Sequence, residues 1–367
     1  MTASTIESGI SIDLIDTPCL IVDMDLVDDN LNKLFSKFRD LQVKVRPHLK
    51  TVKNPEFAKL LLAQGATGVC VAKVSEAEVM AEAGIEDILI TTEIIGLPKI
   101  ERLTKLITKH DRIRVVIDSS AGATAMQDAA WQAGIKLNVL IELNVGQNRA
   151  GVEPGQSALI LANEISKQPN LNLIGIQGYE GHLQLLADEE ERQRLCVEAM
   201  EKLMNTVSLL RQNGHKIEVI TTGGTGTSEY CAAGGANEIQ PGSFVFMDGA
   251  YRKAIGNRYQ NALTLVSTVI SKPAENRCVI DAGFKSLSTD SGNAELKLHG
   301  DISYRPAGDE HGILESSGGK VNLNIGDRVE LIPSHIDTTV NLHDYYYCHR
   351  GGKLENVWRI SARGKVQ

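Results

Sequence analysis

Val43-Lys44-Val45-Arg46-Pro47-His48-Leu49-Lys50-Thr51 alternates apolar and polar residues, meets a proline, and delivers a lysine just beyond it. The spacing predicts a strand over Val43–His48, the first of eight short β-branched runs that alternate with longer amphipathic stretches. The other seven are predicted at Gly68–Ala72, Asp87–Thr91, Arg114–Asp118, Leu137–Asn144, Leu173–Tyr179, Glu218–Thr222 and Glu238–Phe246. Helices are predicted between them at Asn54–Gln64, Ser75–Ala83, Pro98–His110, Ala121–Ala133, Gln156–Lys167 and Glu189–Gln212, several closing on glycine. Eight βα repeats with short connections favour a closed parallel (β/α)8 barrel of the TIM type over an open doubly wound sheet.

After about residue 250 the rhythm changes. Leu263–Ser271, Arg277–Asp281, Asp327–Ile332 and Trp358–Arg363 read as strands joined by Gly- and Pro-containing turns, with no long helical period. A chain of 367 residues exceeds one ordinary core, so a barrel over 26–250 and a β domain made of 1–25 and 251–367 are expected, with Cys19–Asp23 as an extra strand of the latter.

Net charge is −8 with Lys and Arg scattered, which supplies no basic stripe for nucleic acid or anionic lipid. Met1–Ile15 has neither a positive n-region nor an apolar run, and nothing approaches the ~20 apolar residues of a membrane span, so a cytoplasmic protein is expected. The six cysteines, at 19, 70, 196, 231, 278 and 348, show no CxxC pairing and read as free, mostly buried thiols.

In a parallel barrel, functional side chains sit at the C-terminal ends of strands. Lys50 falls at or just past the barrel mouth, where desolvation and neighbouring positive charge would make it an amine nucleophile. An isolated loop lysine is ordinarily a solvated surface residue; the turn after the seventh strand changes that weighting. Thr221-Thr222-Gly223-Gly224-Thr225-Gly226-Thr227-Ser228 offers backbone N–H groups and a helix start to a phosphate, and Pro241-Gly242-Ser243 could complete the cradle. The fifth strand ends in Asn144–Gly151 and the sixth in Gly178-Tyr179-Glu180-Gly181-His182. Arg149 could bond a cofactor ring and His182 could act as a general base, although a single loop Arg or His is commonly structural.

In the β domain, His335 and Asp337 stand two apart on a predicted strand end, so both side chains would leave one face. Such a pair suits a divalent ion such as Mn²⁺, Mg²⁺, Co²⁺ or Zn²⁺, with water or substrate completing the shell, but an HxD on a strand is also an ordinary surface pair. His343, Asp344 and His349 read as structural. Arg252 and Lys285 are candidates for recognising a carboxylate on a substrate.

At these residues the chain resembles the D-threonine aldolase and D-serine dehydratase-like family, which has the alanine-racemase type of fold. The resemblance runs over nearly the whole length. It rests on Thr17-Pro18-Cys19-Leu20, Arg46–Thr51, Gly146–Gly151, Gly178–His182, the Gly-rich turn and Pro241–Asp248. It implies pyridoxal phosphate (PLP) as a Schiff base on Lys50, with Arg149 and Tyr179 on the ring and Gly223, Gly224 and Thr225 on the phosphate. His48, Thr222, Gly242 and Ser243 are counted with these cofactor-binding residues. Dehydratase-like members place His-X-Cys where aldolase-like members place His-X-Asp with an ion such as Mn²⁺; His335-Ile336-Asp337 follows the aldolase pattern. Thr338-Thr339 departs from it, since many aldolase-like sequences carry a proline there.

The resemblance therefore implies a homodimer that cleaves a small D-3-hydroxy-amino acid to glycine and an aldehyde, with D-serine or D-3-hydroxyaspartate dehydration as the alternative. A PLP carrier matches the barrel alone. A racemase would need an acid or base on the opposite face of the cofactor, for which Tyr251 and the Tyr345–Tyr347 run are the residues at hand.

Overall fold

The computed structural model describes residues 7–367, which divide into two compact units. One comprises residues 34–50, 55–242 and 365–367; the other comprises residues up to 33, 51–54 and 243–364. No helix among the described residues is long and apolar enough to cross a membrane.

Strand β1 is Cys19–Asp23, and the strands of the first unit follow it in the chain: β2 (Lys44–Val45), β3 (Val69–Val71), β4 (Ile88–Ile90), β5 (Ile113–Ile117), β6 (Leu137–Leu143), β7 (Leu171–Gly178), β8 (Val219–Thr222) and β9 (Glu238–Ile239). They pair in parallel in the order β2-β9-β8-β7-β6-β5-β4-β3. The ring closes where His48 bridges Cys70, with Cys70 N–H donating to Pro47 C=O and Leu49 N–H to Cys70 C=O, both at 2.8 Å. The expected (β/α)8 barrel is thus present. β3 and β4 are buried at every position, as strands covered on both faces must be.

Helices alternate with the strands where capping chemistry allows. Ser119 accepts from Gly122 N–H to start Ser120–Ala133, which ends on Gly134 at φ +69°. Asp188 caps Glu189–Gln212, whose first turn carries three glutamates. Glu238–Phe246 is not one strand as expected: the ladder stops at Ile239, and Ser243–Val245 forms a 3-10 turn. Pro241 has no N–H to continue the ladder.

The second unit is a nine-stranded sheet of β1 with β10 (Leu263–Ala274), β11 (Arg277–Ile280), β12 (Glu295–Leu296), β13 (Ile302–Pro306), β14 (Gly312–Ser316), β15 (Arg328–Ile332), β16 (Tyr345–Arg350) and β17 (Lys353–Arg359). β1 lies antiparallel to β10 and parallel to β16. The strand expected at Trp358–Arg363 lies earlier, because Gly351-Gly352, both at positive φ, form a two-residue hairpin turn that sets β16 against β17 from Arg350↔Lys353.

Candidate active site

The closing rung of the barrel fixes Lys50, half-buried one residue past Leu49. His48 holds its peptide: Lys50 N–H donates to His48 Nδ1 at 3.2 Å, while His48 Nε2 lies 2.9 Å from Thr91 Oγ1, which donates to Val71 C=O. Since Nδ1 accepts, the ring proton sits on Nε2 and His48 is the neutral imidazole. Both ring nitrogens therefore serve the protein at the residue expected to touch the cofactor. Beside Lys50, the Thr51 hydroxyl is fully buried without a hydrogen-bond partner among the described residues, an arrangement that an incoming polar group would relieve.

The Gly-rich turn after β8 is buried from Thr221 to Ser228. Gly223 takes φ +80°, and a Cβ there would come within 3.2 Å of Cys231 and Ser228. The first two turn amides face a carboxylate that the sequence reading passed over. Glu180, 1% exposed, accepts from Thr222 Oγ1 at 2.6 Å, from Gln184 Nε2 at 3.0 Å and from Gly223 and Gly224 N–H at 3.4 Å. Thr227 Oγ1 donates to it as well. Glu180 thereby shapes the turn. Thr225 is buried within the turn, Gly242 follows Pro241 just past β9, and Ser243 opens the 3-10 turn. Replacing Glu180 by alanine strands several buried donors and is expected to cost at least about 2 kcal/mol, measured by denaturant unfolding.

Arg149 and Tyr179 come together: the guanidinium carbon lies 5.8 Å from the ring centroid. The segments that carry them touch. A Cβ at Gly146 would lie 3.3 Å from the His182 ring, and one at Gly181 would strike Gln147 and Tyr179 at 2.5 Å. His182, in the 3-10 turn Gly181–Leu183, is exposed. Deeper in the barrel, Glu142 accepts from Gln177 Nε2 at 2.5 Å, and Gln240 donates to Gln177 and Thr221, both at 2.9 Å. Burial pushes the Glu142 carboxyl well above the usual range.

In the second unit, His335 and Asp337 are not on a strand end. β15 stops at Ile332, Pro333 follows, and His335 is the extended N-cap of a short helix, Ile336–Val340, with Asp337 in its first turn. The argument from alternating faces therefore does not hold, because extended backbone ends at His335. What holds the histidine is Asp290, whose Oδ2 lies 2.6 Å from His335 Nδ1. Ser288 and Thr338 hydroxyls donate to Asp290 Oδ1 at 2.6 and 2.8 Å. Burial alone would raise the Asp290 carboxyl; the hydrogen bonds from Ser288, His335 and Thr338 bring it down to about 2. Asp248, wholly buried, accepts from Tyr251 and Ile336 N–H at 2.8 and 3.1 Å and so caps two helices, its carboxyl pushed up to about 6 chiefly by burial. An imidazole nitrogen and the Asp337 carboxylate in an acidic neighbourhood fit a divalent cation as a donor set. Two protein donors leave positions for water and substrate, and no group of three His, Cys, Asp or Glu ligands is present among the described residues.

A family profile described as "Alanine racemase, N-terminal domain" matches residues 22–249, and one described as "Putative serine dehydratase domain" matches 262–349. A D-threonine aldolase of Arthrobacter sp. is 38% identical over 95% of this chain and 93% of its own length. The chain belongs to the D-threonine aldolase and D-serine dehydratase-like family. A 3-hydroxy-D-aspartate aldolase of Paracoccus denitrificans (strain Pd 1222) is 35% identical over 96% of this chain and 93% of its own. The crystal structure of D-threonine aldolase from Filomicrobium marinum superposes with a TM-score of 0.95 at 35% identity, covering 99% of this chain and all of that one.

Membership of this family makes the chain a PLP-dependent lyase with the alanine-racemase-like fold. Several side chains read as site candidates turn out to be engaged elsewhere. Arg252 pairs with Glu295, and Lys285 with Glu310 at 2.5 Å, so both candidate carboxylate receptors already hold carboxylates. Tyr346 is buried in β16 and donates to Val52 C=O at 2.8 Å; His343, read as structural, lies 2.8 Å from Ser286 C=O. All six cysteines are free and buried. Glu180, Glu142, Asp248 and Asp290 escaped the sequence reading because their distant partners, Thr222, Gln177, Ile336 and His335, lie 35 to 88 residues away; Glu180 and Asp248 alone sat inside quoted motifs.

Proposed function

We propose that this chain cleaves a D-3-hydroxy-amino acid of the D-threonine type to glycine and an aldehyde by a retro-aldol reaction, with PLP on Lys50 and a divalent cation on His335 and Asp337. The observation that carries the reading is the position of Lys50, immediately past the rung that closes the barrel, beside the orphaned Thr51 hydroxyl. PLP supplies an electron sink for the charge left at Cα, and the cation lowers the pKa of a bound hydroxyl.

The protein's own residues then have separable tasks. Lys50 would hold the cofactor covalently through its ε-nitrogen. Arg149 and Tyr179 position the ring. Thr225, with Gly242 and Ser243, would hold the phosphate end; Thr222, Gly223 and Gly224, whose donors Glu180 occupies, shape the turn that presents them, and His48 orients Lys50 through its peptide. His182 accepts the proton of the β-hydroxyl. Arg252 and Lys285 are occupied, which favours an uncharged β-substituent such as a methyl group over a carboxylate. Mn²⁺ is the favoured ion, with Mg²⁺, Co²⁺ and Zn²⁺ as alternatives, and the acting form is a cytoplasmic homodimer.

The test is to incubate the purified protein with PLP and Mn²⁺, supplying D-threonine, D-3-hydroxyaspartate and D-serine separately. Glycine and acetaldehyde from D-threonine, lost on chelation and restored by Mn²⁺, is the expected result. A 2-oxo acid and ammonia from D-serine would move the activity to dehydration, the second reading, which the profile match over 262–349 favours.

A further inference from the structure

We propose that Asp290 is the positioning residue of the metal site: it takes the Nδ1–H of His335 and turns the Nε2 lone pair toward the divalent cation. This inference rests on the metal reading of His335 and Asp337 given above.

The argument begins with the donor count of the ring. A neutral imidazole has one N–H and one lone pair, and an ionised carboxylate only accepts. With Asp290 Oδ2 at 2.6 Å from Nδ1, the proton of this pair belongs on Nδ1, so the nitrogen left for a metal is Nε2. Asp290 can do this because it is itself fixed. Its other oxygen receives Ser288 Oγ at 2.6 Å and Thr338 Oγ1 at 2.8 Å, one hydroxyl from its own segment and one from the helix that begins after His335. That segment is stitched to the same helix again by Ser288 N–H on Thr339 Oγ1 at 3.3 Å, and to the residue before His335 by Ser334 Oγ on Ser288 C=O at 3.4 Å. The ring plane of His335 is therefore set before any cation arrives. A carboxylate behind a ligating histidine also raises the basicity of the distal nitrogen, and losing such a partner weakens metal binding by about 10–100-fold.

Nothing in the local sequence announces Asp290. It stands 45 residues before His335, in the turn Ser288-Thr289-Asp290-Ser291-Gly292.

The experiment is a titration of the PLP-loaded protein, stripped with a chelator, with MnCl₂ by calorimetry, alongside thermal melts. Asp290→Asn is expected to raise the Kd for Mn²⁺ about 10–100-fold with the melting temperature little changed. Asp290→Glu, which keeps the charge, should recover part of the loss, and Ser288→Ala should weaken binding by a smaller factor without touching either partner of the pair. His335→Ala is the control on the underlying reading. If His335→Ala abolishes Mn²⁺ binding while Asp290→Asn, or Ser288→Ala should the former not fold, leaves Kd within twofold, the positioning role is wrong and the metal site stands. Unchanged Mn²⁺ binding in His335→Ala removes the metal reading and this inference with it.

Discussion

Lys50→Ala is expected to leave the fold intact and abolish turnover. The substitution deletes the amine but not the peptide, so the N–H that His48 Nδ1 accepts at 3.2 Å is still there, and Leu49 still closes the barrel against Cys70. Lys50 is half-buried, so its stem contributes little packing that alanine would forfeit. What disappears is the only group at that position able to bind PLP covalently. Borohydride treatment of the wild-type protein with PLP should fix the cofactor on the peptide that contains residue 50, and the variant should yield no such labelled peptide. Activity on the best substrate should fall by on the order of 10³-fold or more, the scale expected when a group acting at the reacting centre is removed. A labelled peptide elsewhere in the chain, or turnover retained by the variant, would move the cofactor to another lysine.

Arg46→Ala should be the most damaging single change to stability. The Arg46 guanidinium is 1% exposed and sits at the N-terminal ends of β3, β4 and β9, with Nη1 at 2.7 Å from Asp87 Oδ1 and Nε at 3.0 Å from Glu238 Oε1. Burial alone would lower its pKa, yet Glu238 and Asp87 more than offset this and hold it above its ordinary value. The backbone has yielded to it as well: a Cβ at Gly68 would lie 2.1 Å from Nη1. After the change Asp87 keeps Arg114 at 2.8 Å, whereas buried Glu238 keeps, among the described residues, only the Thr67 hydroxyl at 3.4 Å. An unpaired buried charge of this kind costs about 3–5 kcal/mol, which for a body of this size is roughly 10 °C of melting temperature. Lys285→Ala, which breaks an exposed pair with Glu310, should leave the melting temperature where it was. Equal melting shifts in the two variants would mean that the buried network does not hold the barrel.

The residue motifs were legible because they are local. A strand that runs into Pro47, His48 and Lys50, or a turn spelled Thr-Gly-Gly-Thr-Gly-Thr, carries its geometry within a few covalent bonds, and short strands buried on both faces announce themselves as β-branched runs. The helix read at Glu189–Gln212 has those bounds in the structure because Asp188 caps its start, a signal again confined to one turn. The β unit was less legible. β12 has two residues, and β16 lies parallel to β1, more than 300 positions earlier, so no turn between them could signal the pairing.

By itself, then, the sequence determined the alternation that makes a barrel, the place of Lys50 at its mouth, and the His335-Ile336-Asp337 pair that suggests an aldolase. Only the tertiary structure decided that Glu180 fills the first amides of the Gly-rich turn, that Asp290 stands behind His335, that Arg46 is clamped between two carboxylates, and that Arg252 and Lys285 are already paired. The physical reason is one of range. Capping, turn chemistry and periodicity act over a few residues, whereas a buried charge is stabilised by whatever partner the fold brings within about 3 Å, and sequence separation carries no information about which partner that is.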